Sequence, residues 1–317
     1  VTRTIVNRGR IGLKLGFGAL CVAAAAACTG TPEPAPTTLS ASPLPVPSAP
    51  PAVLDRLPAV IEDLTTRPGE ISLLQVTRDH VAARIHEGDQ TRHELLVQNY
   101  DQGNPPVDIG RNDEFPAPTS TLDSASIVSE VETLASRCPG EYFEVTIVFL
   151  GETTRFATLK CPPDAADKIS VSPTAVTLNG EVLPDLTGPW TLETWQQVLD
   201  ETRALSIGGR MTSVYVLSPQ LLLQVPTAES GPCTNLSFLR DLDGRFMSSS
   251  CNEQNLAESP AIDVKDRTAQ QLADAAEATG LTINPSEGYL SVLWSAEGGT
   301  EHLKVEQGIT EQTVPVG

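Results

Sequence analysis

The sequence predicts an α+β fold built as two tandem, duplicated domains, each an antiparallel β-sheet with two helices packed on one face. Three observations predict it. After residue 52 a motif recurs four times: an amphipathic helix, a Gly or Pro stop, then antiparallel strands. The units alternate in type, the first and third carrying at least three strands, the second and fourth one hairpin. The second unit also overlays the fourth without a gap, pairing Val148 with Val292, Leu159 with Leu303 and Lys160 with Lys304. Val76 and Val216 hold equivalent places in the first and third.

In the first unit Leu57, Ile61 and Leu64 fall on one helical face, with Pro58 near the start and Pro68-Gly69 as the stop. Strands follow at 71–76, 81–87 and 92–100. In the second, Ile127, Val131 and Leu134 make the face, Pro139-Gly140 stops it, and 144–150 and 155–161 form a hairpin. In the third, Thr191 caps a helix whose face is Leu192, Trp195, Leu199 and Thr202, ended by Gly208-Gly209. Strands at 213–217, 221–225, 234–239 and 245–249 follow, the last two around Asp243-Gly244. In the fourth, Leu272 and Ala276 precede Gly280, then strands at 289–295 and 301–305. Each sheet should hold five or six strands, with its far face open to solvent. The run Leu221–Val225 is apolar enough to be central or covered.

The chain ahead of these domains reads differently. Residues 1–27 contain Arg3, Arg8, Arg10 and Lys14, no acidic residue, and a 13-residue apolar run from Leu15 to Ala27. That run is short of the ~20 residues needed to span a bilayer. A basic start, a short apolar region and small residues before a cleavage point describe a signal peptide. Residues 28–52 then hold eight prolines and a single charge, Glu33. Such a composition packs no core and forms an extended spacer of ~3 Å per residue. The domains are expected at 53–165 and 166–317.

Charge and cysteines bound the chemistry. The chain has 21 basic and 40 acidic residues, a net charge of −19, more negative still without the leader. Such a surface repels nucleic acid and anionic headgroups. Apart from Cys21 and Cys28 in the leader region, four cysteines remain. An even number in an exported chain reads as disulfides, and placement favours Cys138–Cys161 and Cys233–Cys251. The second pair lies symmetrically about Leu242, which calls for a three- or five-residue loop. Each staple would contribute ~3 kcal/mol.

Catalytic signatures are sparse. There is no G-x-S-x-G elbow, no P-loop and no dinucleotide-binding glycine motif, so no catalytic residue and no cofactor is assigned. The histidines are His80, His86, His93 and His302. His86 and His93 flank a tight turn with Glu87 and Asp89 nearby, a weak candidate metal site of two imidazoles and a carboxylate. Of the tryptophans, Trp195 reads as helix-face core, Trp294 as a strand residue and Trp190 as a staple before the cap.

The residues before Cys28, Ala25, Ala26 and Ala27, resemble the lipobox of bacterial lipoproteins. With the proline-rich spacer and repeated units, the layout resembles actinobacterial-type exported lipoproteins. The resemblance implies cleavage before Cys28, diacylglycerol on its sulfur and a place on the outer face of the cytoplasmic membrane. The tandem helix-plus-sheet units are also similar to PepSY-like and beta-lactamase-inhibitor-like repeats, which bind proteins rather than catalyse. The expectation is therefore a membrane-tethered binding or scaffold module, its partners envelope proteins. The alternatives are a carrier of a lipid or other small apolar ligand, and a metal-dependent or hydrolytic enzyme.

Overall fold

A computed structural model describes residues 52–88, 90–98, 119–163, 172–226, 235–252 and 260–317. Cys21, Cys28, Cys233, Asp89 and the proline-rich spacer lie outside them. None of the described helices is long and apolar enough to cross a membrane.

The first half opens with α1 (Val53–Thr66), whose buried residues Val53, Leu57, Ile61 and Leu64 recur at three- and four-residue intervals. Each such side chain stabilises the helix–sheet contact by ~1.5–3 kcal/mol. Pro58 sits in the helix itself, where it removes one intrahelical hydrogen bond; its ring lies on the exposed side. Then come β1 (Glu70–Thr77), β2 (His80–Glu87) and β3 (Gln90–Gln98). Helix α2 (Ser124–Ala135) follows, capped by the Asp123 carboxylate, which accepts from the Ser126 N–H at 3.1 Å. Strands β4 (Glu144–Phe149), β5 (Arg155–Lys160), β6 (Ala175–Leu178) and β7 (Glu181–Val182) complete one sheet in the order β3-β2-β1-β4-β5-β6-β7.

The second half contributes two more helices and a second large sheet. Helix α3 (Leu192–Leu205) is preceded by Thr191, which closes a capping box with Thr194. Strands β8 (Arg210–Met211), β9 (Ser213–Leu217), β10 (Gln220–Pro226), β11 (Asn235–Asp241), β12 (Met247–Asn252) and β13 (Ile262–Asp263) come next. Helix α4 (Ala269–Ala278) has its own capping box, Thr268 with Gln271. Strands β14 (Leu290–Glu297), β15 (Thr300–Gln307) and β16 (Thr310–Pro315) end the fold. The sheet order is β12-β11-β10-β9-β14-β15-β16, with β8 and β13 pairing separately.

The mixed helix and antiparallel-sheet content agrees with expectation, and several details do not. Each large sheet has seven strands rather than five or six. Two strands of the first sheet, β6 and β7, come from beyond residue 165, so the boundary expected there falls inside a sheet. They turn at Asn179-Gly180, with φ of 53° and 87°, the positive-φ pair of a tight hairpin. Leu192, expected on the buried face of α3, is 49% exposed, because the first residue of that helix projects past the sheet.

The central strands of the first sheet are covered on both faces, while Leu95 on β3 and Val182 on β7 are exposed. On one side Leu74, Val76, Val145, Ile147 and Leu159 meet α1 and α2. On the other, Leu73, Ala82, Val148, Phe156, Val176 and Leu178 join a core shared with α3, α4 and the inner face of the second sheet. Residues 49–317 accordingly form one compact unit. The second sheet differs. Val214, Val216, Leu221, Leu223, Val292, Trp294, Leu303 and Val305 point into that core, and on its outer face Tyr215, Leu222 and Leu293 are half-buried while Asn235, Ser237 and Ser291 are buried.

Candidate functional site

The structure separates the predicted staples from the predicted chemistry. Cys138, just past α2, is bonded to Cys161, just past β5, with Sγ–Sγ 2.03 Å and Cα–Cα 5.3 Å. The other pair is not described, because Cys233 lies outside the described residues. The loop expected for it is corrected by the register: Leu236 faces Cys251 and Arg240 faces Met247. Asp241 N–H donates to the Phe246 carbonyl, leaving a four-residue turn in place of the three or five residues expected.

The described residues of the histidine hairpin do not converge on a common point. His86 lies opposite Thr91, and His93 opposite Arg84, so the imidazoles are diagonal rather than face to face. Both His86 nitrogens meet hydroxyls, Ser72 Oγ at 2.7 Å from Nε2 and Thr91 Oγ1 at 3.1 Å from Nδ1. Glu87 is engaged by Arg92 at 2.7 Å. Burial and the neighbouring Arg84 cation hold His86 below its ordinary 6.5. Among the described residues no three His, Cys, Asp or Glu converge as metal ligands. The Ser72–His86 contact has the length of a nucleophile–base pair, but Ser72 is fully buried and a threonine, not a carboxylate, orients the ring.

Trp195 and Trp294 belong to the core, and the half-buried Trp190 packs against it. Trp195 is buried, Trp190 packs edge-on against it at 4.7 Å, and the Trp190 indole N–H donates to the Leu186 carbonyl at 3.0 Å. Trp294 is buried and its N–H reaches Glu301 Oε2 at 3.1 Å.

A buried ion pair lies under α3. Glu201 and Arg240 are 4% and 1% exposed, with Oε1 and Nε 3.4 Å apart. The contact lacks hydrogen-bond geometry, and neither carboxylate oxygen has another partner. Arg240 Nη2 donates to the Pro184 carbonyl at 3.1 Å. Burial pushes Glu201 up against the opposing pull of Arg240, and pushes Arg240 down. The pair is sealed from solvent and holds elements together; it is not a site that a substrate can enter.

What remains is the outer face of the second sheet. The pairing Leu222–Tyr215–Leu293–Lys304 runs straight across β10, β9, β14 and β15. With Ser213, Gln224, Ser291 and Glu306 these residues line a depression of about 240 Å³. Its hydrogen-bonding groups face one another: Ser291 Oγ donates to Tyr215 Oη at 3.4 Å, and Ser213 Oγ to Gln224 Oε1 at 2.8 Å. At one end stand Leu217, Tyr289 and Ile309, exposed 39%, 53% and 105%. Lys304 is taken by Glu311 at 3.0 Å, while no ion pair engages Glu306 among the described residues. Register sets Glu306 opposite Ser291, two residues along the chain from Tyr289, and the Glu306 charge is the main cause that raises the Tyr289 phenol above its ordinary 10. The second depression, about 480 Å³ beside Gly69, Glu70 and His86, lies at the histidine hairpin just described.

Sequence reasoning did not single out Tyr215, Leu222, Leu293 or Tyr289. The signal was present in Ser213–Leu217, where Val214 and Val216 alternate with Tyr215, putting the ring on the face opposite the core. The run Leu221–Val225 hid it: the strand is central as expected, yet Leu222 faces outward and is half-exposed. The sequence matches no protein-family model, and no curated protein is significantly similar to it. The chemistry of this face must therefore stand on its own.

Proposed function

We propose that the protein is an envelope lipoprotein, tethered through acylated Cys28, that works as a binding module with the outer face of its second sheet. The observation that carries the binding role is asymmetry. The central strands of the first sheet are covered on both faces, whereas those of the second leave Tyr215, Leu222 and Leu293 in an open depression edged by exposed apolar side chains. Clustered exposed apolar surface rimmed by polar groups is how interaction sites differ from ordinary surface. The tether rests on the leader alone. Two or three acyl chains at ~0.8 kcal/mol per CH₂ hold a chain stably at a membrane.

We further infer that the two halves arose by duplication. Supporting this, β1 pairs with β4 at the centre of one sheet as β9 pairs with β14 in the other, each pair joining the first long strand of a half to the first after its second helix. Register refines the equivalence. Val76 faces Val145, and Val216 faces Val292, so Val145 rather than Val148 corresponds to Val292. Val148 points to the opposite side of its sheet from Val145.

A photo-crosslinking residue placed at Leu222 or Leu293 of the full chain tests the binding role in intact cells. The same group at Gln270, on exposed α4 surface, serves as control. Reproducible adducts from the sheet face and none from the helix are expected; equal or absent adducts from both would remove the role. For the tether, Cys28→Ser should move the protein out of the membrane fraction and abolish labelling by an alkynyl fatty acid. Retention of both would overturn it.

A further inference from the structure

The charge pattern of the open face says what kind of partner it takes. The depression contains two charged groups, Lys304 and Glu306, on the same side of β15. Lys304 is already neutralised by Glu311. The charge left to be matched is therefore negative, on a molecule whose overall balance is −19. Glu306 lines the depression together with Tyr215, and its register partner Ser291 lies two residues past Tyr289. Aromatic faces attract cations, by ~0.5–1 kcal/mol at exposed sites, and add to a nearby carboxylate. Beside this corner the surface is aliphatic, Leu222 and Leu293 within the depression and Leu217 at its edge.

We propose that this face docks an extended, basic segment of a partner protein, with a Lys or Arg seated against Glu306, Tyr215 and Tyr289 and an apolar neighbour over Leu222 and Leu293. The inference rests on the binding role assigned to this face and names its partner. An arginine suits the corner well, because its planar guanidinium stacks on a ring while hydrogen-bonding a carboxylate. Nucleic acid and anionic lipid meet the wrong sign of charge. A second copy of the chain brings a like net charge to the contact. A fatty chain finds an open depression crossed by Ser213, Gln224 and Ser291 hydrogen-bonding groups rather than an enclosed apolar cavity.

The test uses the full chain with labelled leucine methyl groups and two blocked pentapeptides, acetyl-Ser-Leu-Arg-Leu-Ser-amide and the same peptide with Glu in place of Arg. The arginine peptide should shift the Leu222 and Leu293 methyl signals and leave Leu192, on α3, unmoved. The glutamate peptide should bind about tenfold or more weakly. Raising the salt from 0.05 to 0.5 M should weaken the arginine peptide several-fold, since the Debye length shrinks across that range. Glu306→Gln, a near-isosteric change at a half-buried position that leaves the remaining methyl spectrum in place, should cost about fivefold, and Tyr289→Ala about threefold. Equal binding of the two peptides, or no shift with either, overturns the proposal. So does a shift produced by chitotetraose alone, which would make the face a glycan surface, or one that appears on concentrating the protein alone, which would make it a self-interface. If the arginine peptide fails while crosslinks from Leu222 still capture an envelope protein, the charge preference falls and the binding role stands.

Discussion

Arg240 concentrates more of the fold's electrostatic risk than any surface charge here. It is 1% exposed, reaches the Pro184 carbonyl, and lies 3.4 Å from an equally buried Glu201. Two ions removed from water are penalised by several kcal/mol each, and a close contact without hydrogen bonds recovers only part of that. Arg240→Met should therefore cost ~3–5 kcal/mol at neutral pH, because it strands a buried carboxylate. The double substitution Arg240→Met with Glu201→Leu should recover most of the loss. Urea denaturation of the two singles and the double, read as a double-mutant cycle, measures this; a double variant as unstable as the sum of its singles would refute it. The pH dependence has a definite sign. Burial raises Glu201 above its ordinary 4.5 in the folded protein, so the folded state binds the proton more tightly than the unfolded one. Its favourable contribution is complete below about 4.5 and is lost as pH rises through the folded-state value. Removing Arg240 takes away the one charge that opposes this shift, so the deficit of Arg240→Met should shrink as the pH is lowered from 7 towards 5. A deficit that is constant or grows in acid would show that Glu201 is not the group responsible.

At the scale of elements, the disulfide joins the end of α2 to the end of β5 across a separation of 23 residues. It pins the second helix of the first half to the edge of the hairpin on which it packs. In the chain-entropy model that closure contributes ~3 kcal/mol, so Cys138→Ser with Cys161→Ser should lower the unfolding free energy by about that amount. A change below ~1 kcal/mol would mean that the unfolded chain is already constrained there. This bond was legible because both cysteines border elements with clear periodicity. Helices α1 to α4 were legible for the same reason, and Thr191 by its cap. The failures have physical causes as particular. Strand β6 is four residues long, too short for alternation to register, though Asn179-Gly180 marked its turn. Strand β16, Thr-Glu-Gln-Thr-Val-Pro, is an edge strand with almost no buried side chain, so no hydrophobic pattern was available to reveal it. The overlay of Val148 on Val292 rested on similarity of residue type, which does not say which face of a sheet a side chain takes. The open site was half legible: alternation placed Tyr215 outward, but only the register brings Leu222, Leu293 and Glu306 beside it.

For the whole molecule the consequence of the shared core is cooperativity. A pair of domains on a string would unfold in two steps, each with its own midpoint. Here the reverse face of the first sheet, through Leu73, Val148, Phe156 and Val176, belongs to the same buried cluster as Trp195, Leu199 and Trp294 of the second half. Backbone hydrogen bonds tie the halves as well. Val176 N–H donates to the Gly244 carbonyl at 3.2 Å, and Leu186 N–H to the Leu242 carbonyl at 2.7 Å. Gly244 holds φ of 72°, and a Cβ there would lie 2.7 Å from the Leu183 carbonyl oxygen, so this joint requires glycine. Loss of either half would bare apolar surface on the other, which leaves neither stable alone and couples their melting. Phe156→Ala decides the matter, since the ring is 3% exposed and sits on the face that the halves share. Truncating a buried phenylalanine costs ~3–5 kcal/mol, and for a molecule of this size each kcal/mol lowers the midpoint by ~2–4 °C. Calorimetry should show one transition in both proteins, shifted down as a whole in the variant. If the endotherm instead splits, with one part melting at the parent temperature, then the halves are thermodynamically independent and the contact between them contributes little to stability.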